Sequence, residues 1–246
     1  MKYKLETIPV WDAVEHSTKT CIICHLMEQS EARKIEFYLG NSVMNPETRV
    51  RVNSRGFCVH HYRLLTEGGK PLSLGLMAHT RLQETARQLE KALNALKASS
   101  SPRSARKAAK QMQEVLAGRE KDCLICEGMQ DNLNRYLYTT VHLWGSDEEF
   151  RTALRDSGGV CFHHLPLLTQ MAPEALSGDQ LAVFCRELGA YAEAWLQRAV
   201  DEVHWLTQRN KSQYAGSDWK GCEQAHVRAV VMEIGSGRIH EPPGRK

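Results

Sequence analysis

Apolar residues in this chain recur mostly at the spacing of α-helices. Two stretches step by four and three, one through Leu82, Ala86, Leu89, Leu93 and Leu96, the other through Phe184, Leu188, Tyr191 and Trp195. Such spacing gives a helix one apolar stripe, which we expect to face a partner helix. Alternating Val, Ile and Thr, the pattern of strands, is scarce. The sequence therefore predicts an all-α protein.

Two polar tetrads predict where short helices begin. The stretch NPET places Asn45 at a helix cap and Pro46 in the first turn. The stretch SDEE offers Ser146 and Glu149 as a capping box. We expect a short helix after each tetrad.

The chain contains an internal duplication. GFCVHH at 56–61 is followed later by GVCFHH at 159–164, and each is preceded by a CxxC, at Cys21–Cys24 and Cys123–Cys126. Self-similarity on this scale indicates two copies of one helical unit. We predict a first metal-binding repeat over 1–98, a basic Ser/Pro linker over 99–110 and a second repeat over 111–210. Residues 211–246 are predicted to form a C-terminal helix and a disordered tail.

The repeated Cys and His residues have the spacing of metal ligands. Two cysteines three apart at a helix start point both sulfurs at one spot, and the helix N-terminus favours thiolates. A second helix start, with Cys and His three apart, supplies another pair. Together they make a Cys₃His set, which suits a closed, structural zinc site. We expect one such site in each copy, held between two helix N-termini and pinning that copy.

Zinc is the first expectation for the metal, with two ions per chain. Two iron–sulfur clusters on the same residues are the alternative, since thiolates suit both. CIICH at 21–25 also matches a haem-attachment pattern, but Glu127 replaces the histidine in the second copy.

Each copy carries a histidine beyond the four ligands. Cys-x-x-His selects His61 and His164 as ligands, so His60 and His163 would support them, although the reverse assignment stays open because neighbouring helical residues point about 100° apart. His79 and Cys185 could also face the sites from the two long helices.

Composition narrows the function classes. The 246 residues carry a net charge of +3, and no apolar run is long enough to cross a membrane. No signal peptide is visible, so we expect a cytoplasmic protein whose clustered cysteines bind metal. Basic residues gather in the linker without interleaved aromatics, so we do not expect nucleic-acid binding. They are Lys97, Arg103, Arg106, Lys107 and Lys110.

The motifs resemble those of a known family. TIPVWDA at 7–13, the CxxC, GFCVHH and the downstream GLMAHT are similar to a bacterial family of unknown function, about this length and common in anaerobes. The resemblance implies Cys21, Cys24, Cys58 and His61 as one ligand set and Cys123, Cys126, Cys161 and His164 as the other. The second copy departs from the family pattern at Val160 and at VFCRE (183–187), which questions a role for His79 and leaves the metal sites intact.

Three functions are compatible with these features. The first is a non-enzymatic protein with structural zinc that binds a protein partner or regulates a process. The second is an iron–sulfur redox or cofactor-handling protein. The third, a metal-dependent enzyme using His60 or His163, needs an open coordination position, and four good ligands per site argue against it.

Overall fold

The computed structural model describes residues 3–17, 19–117 and 122–236, and these residues fold entirely as helices and connecting loops. The all-α prediction is confirmed. The tail predicted to be disordered falls mostly on 237–246, outside the described residues. The α-helices are α1 (Thr7–His16), α2 (Ile22–Leu39), α3 (Pro46–Ser54), α4 (Val59–Glu67), α5 (Pro71–Lys97), α6 (Pro102–Leu116), α7 (Leu124–Ser146), α8 (Glu148–Asp156), α9 (His164–Ala175), α10 (Asp179–Arg209) and α11 (Ala225–Ile234).

The helices belong to two compact units. One combines residues 1–30 with 130–246 and is called the split unit; the other, residues 31–129, is called the central unit. This division differs from the predicted repeats, because the boundaries at 98 and 111 both lie inside the central unit. Helices α2 and α7 each begin in one unit and end in the other.

The predicted linker is largely helix. Ser101 caps α6 by accepting a hydrogen bond from the Ser104 N–H, and Pro102 opens the helix. A Ser-Pro pair that reads as a linker is equally a helix start, because proline is tolerated in the first turn. Helix α6 packs along α5 with Ala108 buried.

The two predicted caps have different outcomes. Asn45 caps α3, and its side chain accepts from the Glu47 N–H at 2.8 Å. The second cap lies one residue later than predicted: Asp147, rather than Ser146, accepts from the Phe150 N–H at 3.1 Å. Ser146 instead ends α7, and its hydroxyl donates to the carbonyl of His142.

The apolar stripe of α10 contributes to the core of the split unit. Phe184, Leu188 and Trp195 are buried, Phe184 meets Trp144 edge-on, and the Trp195 indole donates to the Arg155 carbonyl at 3.0 Å. The central unit has its own smaller core, to which α5 contributes Met77. No helix among the described residues combines the length and apolar character needed to cross a membrane.

Candidate metal centres

The split unit brings four metal-ligand side chains together. The CxxC at the start of α2 meets the CxxH turn that leads into α9, and the four residues are buried. His164 Nδ1 lies 3.6 Å from the Cys21 sulfur, 3.5 Å from that of Cys24 and 3.2 Å from that of Cys161. The Cys24 and Cys161 sulfurs are 3.7 Å apart. We call these four residues the split-unit cluster.

The central unit holds a matching group, the central-unit cluster. Here the CxxC at the start of α7 meets the CxxH at the start of α4. His61 Nδ1 lies 3.1 Å from the Cys58 sulfur, 3.3 Å from that of Cys123 and 3.4 Å from that of Cys126. The Cys58 and Cys126 sulfurs are 3.8 Å apart. His61 and Cys123 are buried, Cys58 is half-buried and Cys126 is exposed.

These distances fit one tetrahedral ion per cluster. Bonds of about 2.3 Å to sulfur and about 2.0 Å to nitrogen place two tetrahedral sulfurs about 3.8 Å apart and a sulfur about 3.5 Å from a nitrogen. In each cluster the three sulfur–nitrogen distances and one sulfur–sulfur distance come close to these lengths, and all four ligand atoms lie within 4.8 Å of one another. Each cluster could therefore bind a metal ion through three sulfurs and one nitrogen.

The structure corrects the grouping of the ligands. The sequence-based sets joined each CxxC to the CxxH of its own copy, whereas the structure joins it to the CxxH of the other copy. Fifteen residues of helix α2 follow Cys24, so the helix carries the chain about 23 Å away from Cys24 before the CxxH of the same copy begins. The eight predicted residues are those of the two clusters, and their pairing is crosswise.

The backbone conformation before each CxxH motif requires a glycine. Gly56 and Gly159 adopt φ of 75° and 90°, a region that favours glycine. The Gly159 carbonyl accepts from the Ile22 N–H at 3.0 Å, and the Gly56 carbonyl accepts from the Leu124 N–H at 3.2 Å. Each glycine thus satisfies a free donor at the start of a CxxC helix and connects the two halves of a cluster.

Both glycines are also approached closely by other side chains. A Cβ on Gly159 would lie 2.7 Å from the Trp195 ring, and one on Gly56 would lie 2.9 Å from the Arg81 guanidinium. Arg81 itself donates to backbone carbonyls of 52–55 at the end of α3.

The thiols of each cluster differ in pKa. Hydrogen bonds from Cys161 and Cys21 lower the pKa of Cys24 far below its usual value, whereas burial raises that of Cys21. In the central unit, hydrogen bonds from Cys126 and Cys58 lower the pKa of Cys123 in the same way. Each cluster thus favours at least one thiolate, the form that binds metal.

Hydrogen bonds to these cysteines raise the pKa of the histidine in each cluster. Burial by itself lowers the pKa of His164, but hydrogen bonds to Cys161 and Cys24 outweigh it and raise that pKa to about 9. For His61 the corresponding bonds to Cys123, Cys58 and Glu31 raise the pKa to about 11 against the effect of burial. The imidazoles therefore sit in a strongly anionic environment, which attracts a cation.

A carboxylate supports the central-unit cluster. Glu31 Oε1 accepts from His61 Nε2 at 3.1 Å and from His60 Nε2 at 2.9 Å. Because Nδ1 of His61 faces the sulfurs, the Nε2–H bond to Glu31 fixes the ring orientation and the tautomer. This contact was missed by sequence reasoning, since the position that matches Glu31 after the second CxxC is Leu133, which is buried and apolar.

The split-unit cluster is supported differently, by the end of α11. The Ser236 N–H donates to the Cys24 sulfur at 3.4 Å, and the Phe162 N–H donates to the Met232 carbonyl at 2.9 Å. A Cβ on Gly235 would lie 3.4 Å from the Cys24 sulfur and 3.5 Å from that of Cys161. The C-terminal helix therefore covers this cluster, a role that the sequence did not indicate.

The remaining candidate residues take minor positions. His60 supports Glu31, and His163 packs against His164 with ring centroids 4.8 Å apart. His79 and Cys185 are exposed, and neither belongs to a cluster among the described residues.

We predict that the two motif glycines are required for stability. Gly56→Ala and Gly159→Ala should each destabilise the protein by about 1–3 kcal/mol, because a Cβ is strained at positive φ and meets Arg81 or Trp195. Gly75→Ala and Gly189→Ala are the matched controls, since both lie in helices with open space around the added atom. These should be neutral or stabilising by up to about 1 kcal/mol. Urea unfolding followed by circular dichroism measures the free energy of unfolding of each variant. An equal loss of stability in Gly56→Ala and Gly75→Ala would contradict the structural role of Gly56.

Crosswise pairing predicts the metal content of two double variants. Cys21→Ser with Cys161→Ser removes two ligands from one cluster, so one ion should remain after dialysis against a competing chelator. Cys21→Ser with Cys58→Ser damages both clusters and should leave none. No ion in the first variant and one ion in the second would instead indicate that each CxxC pairs with the CxxH of its own copy.

Loss of the Glu31 carboxylate should weaken only the central-unit cluster. Glu31→Gln is expected to lower metal affinity there by about 10–100-fold, as is usual when the partner of a ligand histidine is lost. Glu28→Gln, an exposed position one turn earlier on α2, is the control. Chelator competition measures both sites, and an equal loss in the two variants would remove the assigned role of Glu31.

Comparison with known proteins identifies a family of unknown function. A model described as a family of unknown function, DUF6062, matches residues 1–240. Searches among curated proteins and among solved structures return no match. The resemblance inferred from the CxxC and GFC motifs is thereby confirmed. The chain belongs to the DUF6062 family, a family of unknown function.

Proposed function

We propose that the protein is a non-enzymatic helical binding protein whose fold is held by two structural zinc ions, one in each cluster. The observation that carries this proposal is the closed geometry of the clusters. Each offers three sulfurs and one nitrogen within 4.8 Å of one another, and the three sulfur–nitrogen distances and one sulfur–sulfur distance match the edges of one tetrahedron. Catalytic zinc sites keep a position for water or substrate, whereas structural sites use all four ligands.

The compactness of the clusters favours a single ion over an iron–sulfur cluster. An iron–sulfur cluster distributes its protein ligands over several irons bridged by sulfide, which separates those ligands further than one ion does. All four ligand atoms here lie within 4.8 Å of one another. Zinc is the ion of choice because it prefers tetrahedral sites of thiolate and imidazole.

An enzymatic role for the extra histidines has less support. His60 already shares Glu31 with the ligand His61, so its Nε2 is engaged. A reducing compartment such as the cytoplasm would keep the eight free cysteines available for metal. Within this proposal the zinc ions stabilise the helices, and an exposed surface binds a partner.

Metal and sulfide analysis of protein purified without air tests the proposal. We expect about two zinc ions per chain, no acid-labile sulfide and a colourless solution. Cys185→Ser, which changes an exposed cysteine outside both clusters, should keep both ions, whereas Cys126→Ser should lose one. Iron with sulfide and a brown colour would overturn structural zinc in favour of a redox or cluster-handling protein.

A further inference from the structure

One carboxylate oxygen in the central unit contacts two imidazoles. Glu31 lies on α2, and His60 and His61 are neighbours in the first turn of α4. Glu31 Oε1 is 2.9 Å from His60 Nε2 and 3.1 Å from His61 Nε2, and the three atoms lie within 4.8 Å of one another. We call these three residues the outer triad, because they meet on the side of His61 that faces away from the cysteines.

The contact with His60 exceeds what the central-unit cluster needs. One carboxylate on Nε2 is sufficient to orient a histidine whose Nδ1 faces a metal. Here the same oxygen also reaches His60, whose ring packs edge-on against that of His61 with centroids 5.0 Å apart. The chain thus directs a third side chain, which is not a cluster ligand, at the point where Glu31 and His61 meet.

The outer triad has the donor atoms and the spacing of a transition-metal site. Two ligand atoms about 2.0–2.1 Å from one ion lie about 2.9 Å apart at a right angle and about 3.4 Å apart at the tetrahedral angle. The two oxygen–nitrogen distances, 2.9 and 3.1 Å, fall in this range. The same distances suit hydrogen bonds, so an ion can replace those bonds with little movement of the side chains. Two imidazoles with one carboxylate favour zinc and neighbouring divalent metals over Mg²⁺ and Ca²⁺, which prefer oxygen.

Charge and solvent access also suit a cation at the outer triad. Three thiolates outweigh the charge of one divalent ion in the central-unit cluster, and Glu31 adds a further negative charge beside it. The side chains of Glu31 and His60 are 26% and 29% exposed, so an ion can enter from solvent and keep bound water. Among the described residues the split-unit cluster has no matching triad, because Leu133 stands at the position that corresponds to Glu31.

We propose that the outer triad binds a third divalent transition-metal ion through Glu31 Oε1, His60 Nε2 and His61 Nε2. The third ion depends on the proposed function, because His61 then bridges two ions, with Nδ1 on the zinc of the cluster and Nε2 on the outer ion. When the outer ion binds, the Nε2 proton of His61 passes to solvent, and His60 carries its proton on Nδ1. With three protein ligands the outer ion keeps positions for water, whereas each four-ligand cluster is closed.

Cobalt titration of the full chain loaded with zinc in both clusters tests the outer site. We expect one further Co²⁺ to bind, with weak visible bands and no sulfur-to-cobalt charge transfer, since the triad contains no sulfur. In NMR spectra of the histidine rings, the signals of His60 and His61 should shift first as Co²⁺ is added. Absence of Co²⁺ uptake, or uptake that always brings sulfur charge transfer, would overturn the proposal.

A pair of matched variants locates the ion. His60→Gln removes one outer ligand and leaves all eight cluster residues in place, so it should weaken Co²⁺ binding at least about 10-fold. His163→Gln changes the matching position of the other copy and should bind Co²⁺ as the wild type does. Undiminished Co²⁺ binding by folded His60→Gln would overturn the outer site. If that variant does not fold, the ring shifts of the wild-type protein decide.

The zinc that remains after chelator dialysis tests the proposed function separately. His60→Gln should keep zinc in both clusters while it loses the third ion, because His60 is not a cluster ligand. Loss of zinc from the wild-type clusters would contradict structural zinc. Clusters that stay filled in a protein that binds no third ion would contradict the outer site alone.

Discussion

The crosswise meeting of a CxxC from one sequence repeat with a CxxH from the other is the constraint on which both units depend. Each half-site supplies two ligands, and only the pairing of halves distant in sequence gives a tetrahedral set. A structural zinc ion contributes about 10–16 kcal/mol of apparent binding free energy at neutral pH in small zinc domains, where binding and folding are one process. An ion in each cluster would therefore be a major part of the stability of these helices.

Helix α2 contributes residues to both units. Its first turn provides Cys21 and Cys24 to the split-unit cluster, and its later residues belong to the central unit. There Glu31 orients His61, a ligand of the other cluster. One helix thus supplies ligands to one cluster and supports a ligand of the second. The two clusters are also unequal, since one is covered by Gly235 and Ser236 whereas the other leaves Cys126 exposed.

The residues of the two clusters could be predicted from the sequence, because the duplication marks them twice. Which CxxH joins which CxxC could not be predicted, because a CxxC has the same local geometry beside either CxxH. That choice is made by the length of α2 and by the bonds from Gly56 and Gly159 to the start of the other repeat's CxxC helix. Glu31 lies outside the repeated pattern, and so do Gly235 and Ser236, which cover the split-unit cluster. The duplication therefore gave no indication of these residues.

The long helices show a second limit of sequence patterns. The stripe of α10 is core, as its spacing predicts, with Phe184 and Trp195 buried. On α5 the matching core positions are Arg81, Thr85 and Ala92, and the apolar stripe lies one position further round the helix. Periodicity identifies an apolar stripe, but it does not show whether the chain buries that stripe, since Leu82 on α5 is 66% exposed.

The most direct test of the central claim is heteronuclear NMR of the protein loaded with ¹¹³Cd in place of zinc. Scalar couplings from each cadmium to cysteine β-protons identify the residues that share one ion. The account predicts one signal coupled to Cys21, Cys24 and Cys161 and a second coupled to Cys58, Cys123 and Cys126. A single cadmium coupled to Cys21, Cys24 and Cys58 would contradict it.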